Sequence, residues 1–362
     1  MNKAAADFLS SVRKYRNIMI IIQGSPDPDA IASSFAVQTI LRRLSIDSEI
    51  FITKKISLPQ NRAFVRNLGI SLKYVRSLQS GRFDSYIITD FQSIEISGIS
   101  DHIPCAAHID HHENAHGKVL PDFALIRTDS GSTSTLVALM LKHAGVELTA
   151  DEMRAVSTAL MFGIQTDTDS YEHAGSLDLE ALNVISCSAD MNVINRISGI
   201  PMSAETIACY NRALDNAFIY RDWGLYSIGY LDTAHRDSIA IVADILLKKS
   251  RHRTVVVYAL IHDRENRELF LDASLRTGSM NLDLNSLIKR ITPTGGGRIY
   301  KGAFQARLDY FRSIPDRDLL LKTVEMATAD WIKKARDSEY LYEITGITRN
   351  IFRRIGGMLK NQ

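Results

Sequence analysis

Cysteine is scarce and unpatterned in this chain. The three thiols, Cys105, Cys187 and Cys209, are widely spaced and form no Cys-x-x-Cys pair. That excludes a disulfide framework and fits reduced thiols in a cytosolic protein. A dominant sign of charge is also missing. Against 43 Lys and Arg stand 41 Asp and Glu, a formal net charge of +2. No global basic field draws long nucleic acid, so any such contact is expected to be local. Long apolar runs are absent too. The longest early one, residues 18–22, is far too short to cross a bilayer. Residues 1–16 mix Lys3, Asp7, Arg13, Lys14 and Arg16 with small side chains and lack the apolar centre of a secretory signal. No internal repeat or low-complexity stretch stands out. A cytoplasmic protein with no membrane partner is expected.

What is present is an ordinary globular balance, 45% hydrophobic and 23% charged over 362 residues, enough for two domains with full cores. Residues 18–22 are a continuous β-branched and apolar run, which suits a strand buried on both faces of a parallel sheet. Gly24, Ser25, Pro26, Asp27, Pro28 and Asp29 read as a turn, and Ala32, Phe35, Ala36, Ile40, Leu41 and Leu44 then recur at helical spacing. Further strands are expected at 49–52, 86–89 and 106–109, and helices at 132–145 and 152–164. Such alternation predicts an α/β fold with a parallel sheet covered on both sides.

Four segments bearing Asp or His follow these strands or stand at element ends: Asp27-Pro28-Asp29, Asp90, Asp110-His111-His112 and Asp167. Ligands of open α/β sheets bind beyond the carboxyl ends of the strands, so the four are expected to converge in one crevice. Taken singly each is unremarkable, since Asp-x-Asp in a turn is usually a cap and a lone Asp at a strand end is usually solvated. The ordered set is what points to metal. Two neighbouring cations can each take one of the paired carboxylates, with Asp90 bridging, an imidazole adding nitrogen, and Asp167 completing the second site. Carboxylates with an imidazole and open positions suit manganese, and less strongly magnesium or cobalt. Two such ions can activate water for in-line attack on phosphorus.

These motifs resemble the DHH phosphoesterase superfamily. They read Pro26-Asp27-Pro28-Asp29-Ala30, Ile87-Ile88-Thr89-Asp90, Ile109-Asp110-His111-His112 and Gly163-Ile164-Gln165-Thr166-Asp167-Thr168. The resemblance implies Asp27 and Asp90 at a first metal, and Asp29, Asp90, His111 and Asp167 at a second. It implies that His112 touches the substrate phosphate as a general acid, and that Asp110 orients the histidines. Where many members have a ligating histidine this chain has Gln23, a weaker neutral donor that loosens the first site or leaves its place to water.

In the second half a helix is expected at 203–218, strands at 225–230, 254–260 and 268–273, and a helix at 239–247. This part resembles the DHH-associated C-terminal domain through Ser274-Leu275-Arg276 and the run Gly295-Gly296-Gly297. Three glycines let backbone amides approach an oxyanion, and Arg276 and Arg298 could add charge-assisted hydrogen bonds. The family loop usually ends in histidine, and Arg298 here offers a planar cationic fork instead.

The expected organisation is a catalytic metal-binding domain at 1–200, a linker helix at 201–222, a smaller α/β substrate-binding domain at 223–315 and a basic helical extension at 316–362. The function expected by resemblance is hydrolysis of short oligoribonucleotides, of 3′-phosphoadenosine 5′-phosphate, or of both, with two manganese ions. A linear dinucleotide phosphodiesterase and a phosphate-ligand or nucleic-acid binding protein with little turnover are the alternatives. The expected partners are a short oligonucleotide or nucleotide substrate, with a homodimer left open.

Overall fold

The computed structural model describes residues 1–113, 119–263, 267–292 and 295–358, with side chains inside the last helix described as far as residue 338. The chain divides into two compact units, Met1–Pro201 and Met202–Gln362.

In the first unit helix α1 (Asn2–Val12) precedes β1 (Asn17–Ile22), α2 (Pro28–Arg43), β2 (Asp47–Ile52), α3 (Pro59–Asn67) and β3 (Leu72–Tyr74). Then come β4 (Ser85–Thr89), β5 (Cys105–Asp110) and β6 (Ala124–Ile126), followed by α4 (Thr133–His143), α5 (Ala150–Asp167), α6 (Ser176–Ile185) and α7 (Met191–Ser198). The six strands form one sheet in the order β3-β2-β1-β4-β5-β6, and every pairing is parallel. Strand order therefore reverses between β1 and β4, which opens a crevice at their carboxyl ends.

The alternation of β1 explains why its run is apolar throughout. Ile18, Ile20 and Ile22 join one core with α1, α2, α4 and α5, while Met19 and Ile21 join the other with Tyr86, Ile88 and Cys105. The first face is covered by helices. The second is covered by irregular chain, with Leu78, Ile94, Ile96 and Ile99 doing the covering. The expected cover on both sides is present, but on one side it is loop. The short edge strands β3 and β6 gave no apolar run of their own and were not anticipated.

The second unit starts with α8 (Ala204–Asp215), β7 (Ala217–Tyr220), β8 (Trp223–Asp232), α9 (Ser238–Lys249), β9 (Thr254–Asp263) and β10 (Glu268–Thr277). It continues through α10 (Leu284–Ile291), β11 (Gly296–Gly297), β12 (Lys301–Arg307) and α11 (Arg317–Met358). Its sheet runs β11-β12-β10-β9-β8-β7. Only β8 and β9 pair in parallel, and the other pairings are antiparallel. One face packs on α10 and α11 through Leu287, Ile288, Leu320, Val324 and Ile332. The other packs on α8 and α9 through Cys209, Ala213, Val242 and Leu246.

Two expectations change here. The helix expected at 203–218 ends at Asp215, and Phe218 lies in the edge strand β7. The stretch from 316 begins as a packed helix, with Leu320, Val324 and Ile332 in the core, so its start is no free extension. Among the basic tail residues, Arg349, Arg353 and Arg354 lie in α11 beyond the described side chains, and Lys360 lies outside the described residues.

The helix carrying Asp167 is pressed close to its neighbours at one glycine. A Cβ at Gly163 would stand 2.3 Å from Ser134 Oγ and 3.2 Å from Ala32 Cβ. The fold thus needs glycine where α5 crosses α2 and α4. Gly163→Ala is expected to destabilise the protein by about 1–3 kcal/mol through overpacking, read as a lower urea midpoint with an unchanged slope.

Candidate metal centre

Each acidic side chain is delivered by the end of an element. Asp27 is the N-cap of α2, its Oδ1 accepting from Ala30 N at 2.9 Å. Asp29 sits in the first turn of α2 and is buried. Asp90 directly follows β4 in a left-handed conformation, φ 57°, that costs a non-glycine residue energy and turns its side chain out of the strand. Asp110 ends β5, and His111 and His112 follow it. Asp167 ends α5, where the helix dipole disfavours a carboxylate.

Burial and shared direction bring these groups together. His111 Nε2 lies 3.2 Å from Asp167 Oδ2, 3.3 Å from Asp90 Oδ1 and 3.9 Å from Asp29 Oδ2. Its other nitrogen, Nδ1, faces the carbonyl of Ser130 at 3.3 Å and must donate there. That assignment leaves a lone pair on Nε2 aimed at three carboxylates. A divalent cation, or a proton shared with a carboxyl, makes that contact attractive. Ligand atoms of Asp29, His111 and Asp167 lie within 4.8 Å of one another, as do those of Asp90, Asp110, His111 and His112. Among the described residues neither Asp29 nor Asp90 has a Lys or Arg partner; their hydrogen bonds come from backbone amides and one hydroxyl. The donor set fits divalent cations.

Ionisation follows from the same crowding. Burial first, and then the charge of Asp90, holds the Asp29 carboxyl well above the usual carboxylate range. Burial and the charge of Asp27 do the same to Asp90. Asp27 is raised by burial and by Asp167, although part of its surface is exposed to solvent. Asp110 behaves oppositely. Burial opposes its charge, but the hydrogen bond from His112 Nδ1 at 2.9 Å prevails and lowers it. It also accepts from His111 N at 2.8 Å, while its buried Oδ2 has no hydrogen-bond partner among the described residues. For His112, burial works against the imidazolium, yet Asp110 and the charge of Asp90 raise it overall.

The remaining sequence-singled residues fall as follows. Gln23 directly follows β1 and is half-buried. His108 is buried, donates from Nε2 to Phe91 O at 2.7 Å, and is lowered by that burial. His173 stands 3.8 Å from Asp169, and His116 lies outside the described residues. In the second unit Arg276 is engaged, its Nε on Asp244 Oδ1 at 2.5 Å and its NH1 on Leu275 O at 3.0 Å. Gly296 and Gly297 form β11 rather than an open loop. A Cβ at Gly295 would meet Ile288 at 2.5 Å, and one at Gly297 would meet Lys301 O at 2.3 Å, so packing by itself demands glycine at both. Arg298 follows, with NH1 3.3 Å from Tyr300 OH.

Sequence reasoning passed over three features. The loop before α4 is tied down by Asp178, which is buried and accepts from Gly131 N, Gly175 N and Thr135 Oγ1. Asp29 is gripped by the amides of Thr133 and Ser134 at 2.7 Å each. After Asp167 the chain reverses through three consecutive left-handed residues, Asp169, Ser170 and Tyr171. The apolar periodicity of α4 hid the first two, because the polar run Ser132–Thr135 reads as an ordinary helix start.

A profile of the DHH family, N-terminal domain, matches residues 17–164. Residues 17–164 belong to the DHH family. An uncharacterized protein of Methanocaldococcus jannaschii is 29% identical over 317 residues, 86% of this chain and 62% of its own. A probable manganese-dependent inorganic pyrophosphatase of Streptococcus thermophilus is 28% identical over 156 residues, 42% of this chain and 48% of its own. The chain thus spans about half to three-fifths of the length of these curated relatives. In fold, the crystal structure of an exopolyphosphatase-related protein from Bacteroides fragilis aligns with TM-score 0.68 at 18% identity, covering 93% of this chain and 98% of that one. That likeness shows the fold of the chain. No described helix is long and apolar enough to cross a membrane.

The crowded carboxylates set a pH dependence for the metal-free protein. Asp29 and Asp90 keep protons in the folded state above the unfolded value of 3.8. The folded chain then binds more protons, and this stabilisation is lost as pH rises through the raised values. His112, raised from 6.5, adds a loss at higher pH. Asp110, lowered, acts only at the acid end. Metal-free protein is expected to melt lower at roughly pH 8 than at roughly pH 5. Manganese at about a hundred times its Kd should add about 2.7 kcal/mol per ion, with proton release that grows toward lower pH. Thermal melts with and without manganese across this range check both signs.

Proposed function

We propose that this DHH chain is a metal-dependent phosphoesterase that uses two manganese ions to hydrolyse short oligoribonucleotides, 3′-phosphoadenosine 5′-phosphate, or both. The observation that carries the reading is the convergence of Asp29, Asp90 and Asp167 on His111 Nε2, at 3.9, 3.3 and 3.2 Å. Three carboxylates and an imidazole nitrogen converge on one volume, and the hydrogen bonds of Asp29 and Asp90 come from backbone amides and one hydroxyl. Asp27 and Asp90 would hold the first cation, and Asp29, Asp90, His111 and Asp167 the second. Gln23 would offer the first a neutral donor or leave that place to water. Carboxylate with imidazole suits manganese over harder ions, and the similarity to a probable manganese-dependent pyrophosphatase supports that choice. The chemistry that bound cations supply is activation of water and neutralisation of charge on phosphoryl oxygens.

The residues of this chain do the rest. Asp110 accepts from His112 Nδ1 and fixes the ring, leaving Nε2 to hold the proton that a leaving oxygen needs. The raised affinity of His112 for that proton suits a general acid near neutral pH. Arg276, Gly295, Gly296, Gly297 and Arg298 are the proposed substrate-binding residues of the second unit. This assignment rests on resemblance in the Ser274-Leu275-Arg276 segment and the glycine run, and the same resemblance favours nucleotides over pyrophosphate.

A manganese-supplemented panel tests the reading: a ribodinucleotide, a ribopentanucleotide, 3′-phosphoadenosine 5′-phosphate, pyrophosphate and a linear diadenylate. The oligoribonucleotides or the 3′-phosphate should turn over fastest. Fastest turnover of the diadenylate favours a linear dinucleotide phosphodiesterase, and no turnover of any member favours a binding protein. Asp90→Ala should abolish hydrolysis; undiminished rates would rule out the two-metal mechanism. His112→Gln should lower kcat by about 10²- to 10⁴-fold with manganese binding retained.

A further inference from the structure

Thr133 is buried at the first position of α4 and touches two of the clustered carboxylates at once. Its backbone N–H donates to Asp29 Oδ2 at 2.7 Å, and its hydroxyl donates to Asp90 Oδ1 at 3.0 Å. We propose that Thr133 is a positioning residue that locks Asp29 and Asp90 in one mutual geometry, so that its hydroxyl sets the affinity of the site for divalent cations. This inference rests on the metal reading above and deepens it.

The helix does not need that hydroxyl. Ser132 already caps α4, its Oγ accepting from Thr135 N at 3.0 Å. Ser134 N supplies the second bond to Asp29 at 2.7 Å, so both Asp29 oxygens are oriented by amides while each keeps a lone pair for a cation. Asp90 has no such amide pair. Its backbone is in the left-handed region, and its Oδ1 is shared between the Thr133 hydroxyl and the neighbourhood of His111 Nε2 at 3.3 Å. A neutral donor cannot offset the charge of Asp90. It can fix the rotamer, so that the carboxylate presents its free lone pairs to the volume that Asp29, His111 and Asp167 surround. The residue works through a ligand rather than on the reacting atoms.

Thr133→Val keeps volume, branching and the amide while removing only the hydroxyl; Thr133→Ser keeps the hydroxyl. Manganese binding to the metal-free protein, followed by calorimetry and by the paramagnetic resonance of free ion, is the readout, with circular dichroism confirming the fold. Thr133→Val should weaken manganese binding by about 10- to 100-fold, the usual cost of losing a partner to a metal ligand. Thr133→Ser should stay within about threefold of the wild type, below that range. If Thr133→Val does not fold, Thr133→Ala carries the same test without setting a second methyl against Asp90. Wild-type affinity in a folded hydroxyl-free variant overturns the inference while leaving the metal reading intact. A wild-type protein that takes up no manganese overturns both.

Discussion

Mutual repulsion of carboxylates held out of water is the constraint around which the first unit is built. Asp29, Asp90 and Asp167 all stand close to His111, and burial first, then neighbouring carboxylate charge, raises Asp29 and Asp90. Such an arrangement is tolerated where the carboxyls keep protons or where a cation offsets the desolvation. The parallel strands β1, β4 and β5 end together, and the reversal of strand order between β1 and β4 keeps a helix from filling the space beyond them. The amides of α4 then hold Asp29, and the last turn of α5 places Asp167 against an unfavourable dipole.

Packing around the cluster serves the same end. Gly163 lets α5 approach α4 and α2, so the helix end carrying Asp167 reaches the strand ends. Asp178 shows the contrast between a structural and a ligand-type carboxylate. It is as buried as Asp29, but two amides and a hydroxyl saturate it and it holds a loop. Asp29, by contrast, accepts one amide bond on each oxygen, and Asp90 accepts one hydroxyl. That difference, more than burial, separates the two kinds of acid.

In the second unit the physics of close approach outweighs the chemistry read from composition. The glycine run packs as a two-residue strand against β12 and α10, and Arg276 is drawn to Asp244. Glycine requirements from steric contact and from anion binding look alike in a sequence, since both are simply the absence of a Cβ. The helix from Arg317 looked like an appendage because its apolar residues are spread among charges, yet Leu320, Val324 and Ile332 face the sheet.

The sequence by itself determined the α/β class, the long strands and helices, and the acidic and histidine residues beyond the strand ends. Period and run length are local properties, and a strand buried on both faces, such as Ile18–Ile22, has to spell out its burial residue by residue. Only the tertiary structure decided which face is covered by loop, where the short edge strands pair, that Phe218 turns into a strand, and which donors hold each acid. Thr133 and Asp178 reach partners more than forty positions away. Hydrogen bonds across such distances leave no periodic trace, because they depend on how elements meet and not on what any one element contains.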